Sequence, residues 1–494
     1  MLTRLQIDGF KNLVGVDLRL GPITCIAGAN GVGKSNLFDA ITFLSSLASQ
    51  PLMEAAASVR GEPGHGSSGP ETLFHRVGDS TLSEMRFSVE MLVPKEAEDD
   101  LGQLASATNT FLTYTLWLGL RSGRMEIAKE ELGYITLRDA PRHLQFRHTT
   151  GWRNSVLKAN RRAPFISTDR DRVLLHQDQP GSYRGGGRPR PHVARQLPRT
   201  VLSTALAAES KTAVAAKKEL QSWQLLQLEP SALREPDGYS ADRHLGRTGE
   251  HLPATLARLM DWKPEVSTSV GEPSLFSGDN GDVCGRVAAR LAELIDGVRS
   301  VRLDDDARRE LLSIWLTDTS DSEFEARSLS DGTLRFLALA ILENDPDASG
   351  LWCLEEPENG IHPERIPAMV RLLRDLAVDP TLPVDETNPL RQVILNTHSP
   401  KVVAFSDEND VILVIPQSSE KDGDRYWRPS FRSLQGTWRE KAQPDRPTAS
   451  PGAVRRYLDL QGSNEYWSLE GGRVVDRPEI QAWLPGLGPV SEDP

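Results

Sequence analysis

One eight-residue segment restricts the fold of this chain more than any other part of the sequence. Residues 28–35 read GANGVGKS and match the pattern G-x-x-x-x-G-K-[ST] at every fixed position. The glycines let successive backbone N–H groups surround a phosphate, Lys34 can reach the β- and γ-phosphates, and the Ser35 hydroxyl can hold Mg²⁺. An apolar run at 23–27 precedes the segment and apolar residues at helical spacing follow it. This order predicts a strand, a phosphate-binding turn and a helix; a glycine-rich turn without a ligand is the alternative.

Two acidic residues follow another apolar strand pattern much later in the chain. Residues 351–363 read LWCLEEPENGIHP, in which Glu355 ends the strand and Glu356 comes next. A carboxylate at a strand end can hold Mg²⁺ directly or through water, and its neighbour can polarise an attacking water. We therefore expect Glu355 at a metal ion and Glu356 in hydrolysis, with a solvated pair of surface charges as the alternative.

A third segment places small polar residues where a helix begins. Residues 328–342 read SLSDGTLRFLALAIL, a polar turn that opens an apolar helix. Ser330, Asp331 and Gly332 lie at the N-terminus of that helix, where backbone N–H groups favour an anion. A helix cap without a ligand explains the same residues equally well.

A fourth segment ends a buried strand pattern with a histidine. Residues 392–400 read QVILNTHSP, and His398 follows the apolar run. Its ring can hydrogen-bond a γ-phosphate oxygen or the attacking water, although a strand-end histidine without a ligand is an equal alternative. Four such segments in this order along one chain favour a single nucleotide site.

The ordered set resembles the ABC-type ATPases of the SMC/RecF/OLD class. More closely, it is similar to the stand-alone P-loop NTPases called AAA family ATPases, which also open with a strand and Phe-Lys-Asn, here at 10–12. The stretch LGRTGEHLPATLARL at 245–259 adds to the resemblance, which covers about residues 1–415. The chain departs from the class in reading S-D-G-T in place of S-G-G-Q, in having glutamate at 355 where aspartate is commoner, and in lacking a recognisable Q-loop glutamine. Long coiled-coil arms are also missing, so a chromosome-tethering role is not expected.

The resemblance implies a role for each matching residue. ATP and Mg²⁺ are the implied cofactors, and hydrolysis of ATP to ADP and phosphate is the implied reaction. Ser35 and Glu355 would hold Mg²⁺, and Glu356 and His398 would be the catalytic residues. In this class the signature turn contacts nucleotide on the other subunit, which implies an ATP-dependent, head-to-tail homodimer. The implied ATP contacts are Lys11, Asn30, Gly31, Val32, Gly33, Lys34, Ser35, Asn36, Ser330, Asp331 and Gly332.

The remaining pattern predicts an α/β fold. Strand-like runs at 84–94 and 111–137 predict an antiparallel β lobe, and alternating strands and helices over 311–415 predict a parallel α/β core. Helical spacing marks 201–226 and 284–297. Composition predicts loops at 60–70, 181–191 and 264–282 and a disordered tail beyond 485.

These patterns divide the chain into four expected parts. The two halves of an ABC-type ATPase head flank an insertion, and a small element follows them. The expected parts are the N-terminal half of the head at 1–140, a basic and helical insertion at 141–283, the C-terminal half of the head at 284–415, and a C-terminal element with a disordered tail at 416–494.

Charge is unevenly distributed along the sequence. The net charge of −12 excludes a protein whose whole surface binds nucleic acid. Residues 141–200, however, carry thirteen Lys or Arg against three Asp, a net charge of +10. Their cations could neutralise DNA phosphates while Phe146, Trp152, Phe165 or Tyr183 stacks on bases. A solvated basic loop, or one paired with the acidic remainder of the chain, is the alternative.

Cysteine content and hydropathy bear on the compartment. Three cysteines cannot form a disulfide framework, and the first residues lack a long apolar signal region. No run of about 18 apolar residues occurs. We therefore expect a cytoplasmic protein with no membrane partner.

Three functions fit the sequence. The leading hypothesis is an ATP-driven switch or sensor in DNA repair or anti-phage defence, acting with a partner effector such as a nuclease or toxin. OLD-type relatives continue into a nuclease domain, but the 96 residues after His398 lack its acidic motifs. A transporter ATPase subunit is a second hypothesis, which the first-lobe insertion and the Glu-Glu and Thr-His-Ser-Pro motifs disfavour. A binding scaffold with slow or no turnover is the third.

Overall fold

The computed structural model describes residues 1–59, 69–78, 80–178, 189–261, 283–421 and 423–459. Within these ranges the chain forms two compact units. The first contains residues 1–225 and 349–353 and the described part of 377–494, and the second contains 226–348 and 354–376. The loop predicted at 264–282 and the tail beyond 485 lie outside the described residues, as do most of the loops predicted at 60–70 and 181–191.

An eight-stranded antiparallel sheet, here called the large sheet, forms much of the first unit. Alternate residues of Phe111–Arg121 are buried, as expected for a sheet with one covered face. The antiparallel pairing confirms the predicted β lobe. In spatial order the strands are Arg190–Val193, Arg172–Leu175, Ile166–Asp169, Arg124–Tyr134, Phe111–Arg121, Glu84–Leu92, Leu2–Asp8 and Val16–Arg19.

A second sheet, here called the central sheet, carries the phosphate-binding segment. Its strand Ile23–Ala27 lies between the parallel strands Arg391–Thr397 and Val411–Lys421. Burial on both faces explains why these strands read as continuous apolar runs. Asp424–Ser433 pairs antiparallel with Val411–Lys421, so the sheet includes part of the expected small C-terminal element at 416–494. The other two strands are Gln224–Leu226 and Gly350–Glu355.

The large sheet packs on the helix Lys34–Leu47 through aromatic side chains. Phe10, Phe43 and Phe87 form a cluster with ring centroids 5.7 to 6.0 Å apart. All three are at most 1% exposed, and such aromatic contacts add to the free energy of area burial. The helix that follows the phosphate-binding segment is therefore held firmly beneath the sheet. This arrangement of sheets and helices confirms the predicted α/β fold.

The predicted helix over 201–226 is wrong in extent. Residues Leu202–Thr204 form one 3₁₀ turn, the helix covers only Lys211–Gln221, and Gln224–Leu226 is a strand. Ser210 starts the helix because its hydroxyl accepts a hydrogen bond from the Ala213 N–H at 3.4 Å.

A buried carboxylate holds the 3₁₀ turn against the large sheet. Glu130 has no exposed surface, and its oxygens accept hydrogen bonds from the backbone N–H groups of Val201 at 2.8 Å and Leu202 at 2.9 Å. The Tyr114 hydroxyl donates a third hydrogen bond at 3.2 Å. Burial raises the pKa of Glu130 to about 7, although these hydrogen bonds oppose the shift.

The second unit combines an antiparallel sheet with helices. Val298–Asp306 pairs antiparallel with Leu311–Asp318, so the parallel α/β pattern predicted to begin at 311 is wrong for this hairpin. Asp237–Gly238 and Glu323–Glu325 complete the sheet. The helices of this unit are Pro230–Leu233, Leu252–Asp261, Val283–Leu294, Asp331–Glu343 and Ile366–Leu376, with 3₁₀ turns at Ala326–Ser328 and Pro363–Arg365.

Short elements complete the first unit. Its other helices are Leu52–Ser58, Ala140–His143, Thr150–Val156, Pro400–Phe405, Trp438–Ala442 and Pro451–Asp459, with 3₁₀ turns at Pro70–Leu73 and Ala194–Gln196 and short strands at Arg76–Val77, Ser80–Thr81, Glu96–Glu98 and Leu104–Ser106. Across the described ranges, no helix has both the length and the apolar character needed to cross a membrane.

Candidate nucleotide site

The phosphate loop, residues 28–35, connects the strand Ile23–Ala27 to the helix Lys34–Leu47. Gly31 and Gly33 have φ of +75° and +106°, a region that glycine adopts without strain. A Cβ on Gly33 would lie 2.5 Å from Nδ2 of Asn12, so any other residue there would displace the Asn12 side chain. The residue at the N-cap of this helix is Gly33, which has no side chain to cap it.

Lys34 lies across the phosphate loop. Its Nζ donates hydrogen bonds to the carbonyl oxygens of Gly28 at 2.6 Å and Ala29 at 2.9 Å, and the side chain is largely buried. Residues 29–31 at the tip of the loop are exposed. The ammonium group is thus placed at the centre of a loop whose tip is open to a ligand.

The Phe-Lys-Asn segment packs beside this loop. Lys11 has φ of +47°, and its ammonium forms an ion pair with the Asp39 carboxylate at 2.7 Å. Asn12 accepts a hydrogen bond from Asn36 Nδ2 at 2.8 Å. Asn12 and Asp39 are structural partners that the sequence analysis did not assign, although Asn36 and Asp39 share one helix face by their spacing.

The strand that carries the histidine motif is the direct neighbour of the phosphate-loop strand. Thr397 pairs in parallel register with Ala27, and its carbonyl oxygen accepts a hydrogen bond from Gly28 N–H at 3.2 Å. Thr397 Oγ1 accepts another from Ser399 N–H at 2.8 Å. His398 is therefore one residue beyond a strand end that is bonded to the phosphate loop, as the sequence predicts.

The signature turn, residues 329–333, begins the helix Asp331–Glu343 in the second unit. Ser330 caps this helix, because its Oγ accepts a hydrogen bond from Thr333 N–H at 3.3 Å. Arg234 holds the turn from outside: its guanidinium donates to the Leu329 carbonyl at 3.1 Å and to Asp331 Oδ1 at 2.6 Å. The cap expected as the alternative is present, and Arg234 is a contact that the sequence analysis did not identify.

The two glutamates also belong to the second unit. Glu355 is the last residue of the strand Gly350–Glu355, as predicted. Glu356 follows with φ of +46°, which is uncommon for a residue with a side chain. Its Oε2 accepts a hydrogen bond from Asn359 Nδ2 at 2.8 Å. Glu356 is therefore the first residue of a tight turn, with its carboxylate held by that turn.

The basic segment 141–200 differs from the prediction in its aromatic residues. Phe146, Trp152 and Phe165 are at most 5% exposed and cannot stack on a base, and Tyr183 lies outside the described residues. Its described residues also contribute three strands to the large sheet, Ile166–Asp169, Arg172–Leu175 and Arg190–Val193.

Arg161 is also a structural residue. It is buried, donates hydrogen bonds to the backbone carbonyls of Ala163 at 3.2 Å and Pro164 at 3.3 Å, and lies 3.6 Å from the Asp178 carboxylate. Among the described residues of the segment, the exposed cations are Arg142, Arg147, Arg162, Arg170, Arg172, Arg190 and Arg195.

Comparison with known proteins gives matches to one protein family and to several relatives. A family model described as "AAA domain, putative AbiEii toxin, Type IV TA system" matches residues 23–98 and 232–404, about half of the chain. The DNA replication and repair protein RecF of Paenarthrobacter aurescens (strain TC1) is 28% identical over 180 residues, which are 34% of this chain and 43% of RecF. The chain thus spans less than half the length of that relative.

Other matches are shorter or are similarities of structure. The OLD nuclease of Thermus scotoductus is 51% identical over 41 residues, 8% of each chain. The crystal structure of an SMC head bound to the C-winged helix domain of ScpA aligns with 88% of this chain and 98% of its own, at 14% identity and a TM-score of 0.46. The SMC head domain from Thermotoga maritima aligns with 87% of this chain and 98% of its own, at 13% identity and a TM-score of 0.36.

Proposed function

Because the chain belongs to the AAA-domain family that matches half of its length, within the SMC/RecF/OLD class of ABC-type ATPases, we propose that it binds ATP with Mg²⁺ and hydrolyses it. The observation that carries the proposal is the phosphate loop itself. A glycine-capped helix N-terminus and a lysine ammonium converge on one exposed loop.

The described residues fit a nucleotide phosphate. A Cβ on Gly31 would meet no atom within 4 Å, so there is space above the loop. The backbone from Asn30 through Val32 and Gly33 would surround the phosphate, with Ser35 and Asn36 at the helix start. Lys34 would exchange a carbonyl partner for a phosphate oxygen, and Lys11 would support the loop from its ion pair with Asp39.

Hydrolysis would use residues of the later motifs. Ser35 and Glu355 would hold Mg²⁺, which when bound neutralises charge on the phosphate oxygens. Glu356 would orient the attacking water and accept its proton. His398 would hydrogen-bond the γ-phosphate or the same water, since it follows a strand end bonded to the phosphate loop.

We further propose that two copies associate head to tail around ATP. The capped signature turn, with Ser330, Asp331 and Gly332, would then contact nucleotide held by the other copy. ATP would close the dimer and hydrolysis would reopen it. The RecF relative, which is named for DNA replication and repair, supports a role in DNA repair. Anti-phage defence, with an effector such as a nuclease or toxin as the partner, is the other role that we propose. DNA would contact the exposed arginines of 141–200.

A paired measurement on Glu356→Gln tests this proposal. The substitution keeps size but removes the charge, so ATP should still bind while turnover falls about 10²-fold or more. ATP-bound dimers should accumulate in size-exclusion light scattering. The matched variant Glu355→Gln should instead weaken Mg²⁺-dependent ATP binding. Normal turnover in Glu356→Gln would overturn its role, and wild-type protein that binds ATP without releasing phosphate would identify a scaffold.

A further inference from the structure

Two backbones touch where the signature turn meets the glutamate loop, residues 356–361. A Cβ on Gly332 would lie 2.3 Å from the carbonyl oxygen of Gly360, a contact that only glycine allows. Gly360 itself has φ of +83°. No side chain separates the two segments, so a displacement of the signature turn must displace the glutamate loop.

One arginine reinforces this contact. Arg335 lies one turn into the helix Asp331–Glu343, and its Nη1 donates a hydrogen bond to the Asn359 carbonyl at 2.9 Å. Its Nε donates to the Leu228 carbonyl at 3.1 Å. A planar guanidinium holds two acceptors in a fixed geometry, so the signature helix sets the position of the Asn359 peptide.

Asn359 connects that peptide to the first glutamate-loop residue. Its side-chain Nδ2 donates to Glu356 Oε2 at 2.8 Å, and its backbone N–H donates to the Glu356 carbonyl at 3.0 Å. Glu356 has φ of +46°, a backbone conformation that persists only where surrounding contacts enforce it. The direction of the Glu356 carboxylate therefore depends on Asn359.

From these contacts we infer that Arg335 and Asn359 are positioning residues for the Glu356 carboxylate and transmit the state of the signature turn to it. The inference rests on the proposed function, in which Glu356 orients water and the signature turn meets ATP of a second copy. Nucleotide bound by one copy then sets the hydrolytic carboxylate of the other. The two ATP sites of a dimer are coupled by this path.

Substitutions at both positions test the inference. Arg335→Ala and Asn359→Ala should each lower the turnover number about tenfold or more, because a small misplacement of a reacting group is costly. ATP affinity should stay within about twofold of wild type, since the phosphate loop is untouched. Arg335→Lys keeps a cationic donor and should recover part of the turnover. Arg309→Ala, at a residue 78% exposed in the same unit, is the matched control and should change neither quantity.

A double substitution separates one path from two independent effects. If Arg335 acts through Asn359, the variant Arg335→Ala/Asn359→Ala should be no slower than the slower single variant. If the double variant instead loses turnover by the product of the two single losses, Arg335 and Asn359 act separately, and the transmission path is overturned. Asn359 is exposed, so Asn359→Asp preserves the fold while it replaces the donor by a carboxylate. This variant should also lose turnover with ATP affinity retained.

The controls distinguish failure of this inference from failure of the proposed function. Wild-type protein without ATPase activity, or Glu356→Gln with normal turnover, would remove the proposed function and the inference with it. If wild type is active and Glu356→Gln is slow, normal turnover in Arg335→Ala, Asn359→Ala and Asn359→Asp overturns the positioning role alone. Circular dichroism melts of each variant confirm that a loss of turnover does not reflect unfolding.

Discussion

The buried carboxylate of Glu130 makes stability depend on pH in a direction opposite to that of most carboxylates. Burial raises its pKa to about 7 from the ordinary value of 4.5. Between these values the folded protein holds a proton that the unfolded chain has released. The contribution of Glu130 to the free energy of unfolding should therefore be greatest below about pH 4.5. It should decrease as the pH rises from there through about 7.

The size of the effect follows from the two pKa values. Each pH unit of difference corresponds to about 1.4 kcal/mol, so the full decrease is about 3 kcal/mol. Glu130→Gln should remove this decrease, because an amide does not titrate over the range. The glutamine amide also presents an N–H donor to the Val201 N–H, which is itself a donor. The free energy of unfolding should therefore also be lower by about 1 to 3 kcal/mol at every pH.

Urea denaturation followed by tryptophan fluorescence between about pH 5 and pH 8 measures the free energy of unfolding. It gives both the decrease with pH in the wild type and the pH-independent loss in Glu130→Gln. The neighbouring variant Glu131→Gln is the control, because that side chain is 38% exposed and pairs with Lys129 at the surface. It should retain the wild-type pH dependence. The reasoning is refuted if Glu130→Gln loses stability with pH as steeply as wild type does.

Three further predictions concern the nucleotide site and its partners. Lys34→Ala should lower ATP affinity by about 10²-fold in calorimetry, since it removes a charged donor worth about 1.5 to 3 kcal/mol, while the circular dichroism spectrum stays that of the folded protein; unchanged ATP binding would contradict the role. A mixture of Lys34→Ala and Ser330→Arg proteins should have more ATPase activity than either variant alone, because one intact composite site forms per mixed dimer. If no mixing ratio recovers activity and ATP causes no dimer, the sites are not shared. Charge reversal of Arg162, Arg170 and Arg172 to glutamate should weaken DNA binding and reduce its salt dependence; DNA binding that ignores both salt and these changes would leave the segment a solvated basic surface.

Local pattern was sufficient to predict the elements that carry the motifs. Ile23–Ala27 and Lys34–Leu47 were predicted because a β-branched run and a helical spacing meet at glycines whose positive φ few other residues adopt. The strand end before His398 was predicted for the same reason, since a continuous apolar run is typical of a buried parallel strand. The roles of individual site residues stay predictions until the variants are measured.

Burial in the basic segment could not be read from composition. Trp152 and Phe165 were assigned to a surface because arginines surround them in sequence, but both side chains are fully buried, while neighbours such as Arg147 and Arg162 are exposed. Arg161 is buried because three backbone carbonyls and Asp178 satisfy its guanidinium, and such partners are set by tertiary structure. Asn359 and Arg335 were missed for the same reason.

The strand Ile23–Ala27 has a consequence for how the chain is made. Its hydrogen-bonding neighbours, Arg391–Thr397 and Val411–Lys421, begin about 360 and about 380 residues after it. At cellular rates of about 5 to 20 residues per second, the ribosome needs about 20 to 70 s to supply the first of them. During that time both edges of an apolar strand wait for a partner, which slows folding and exposes a segment prone to aggregation. The phosphate loop therefore reaches its final shape late in synthesis, and a nascent chain requires protection of this strand until residues 391–421 have emerged from the ribosome.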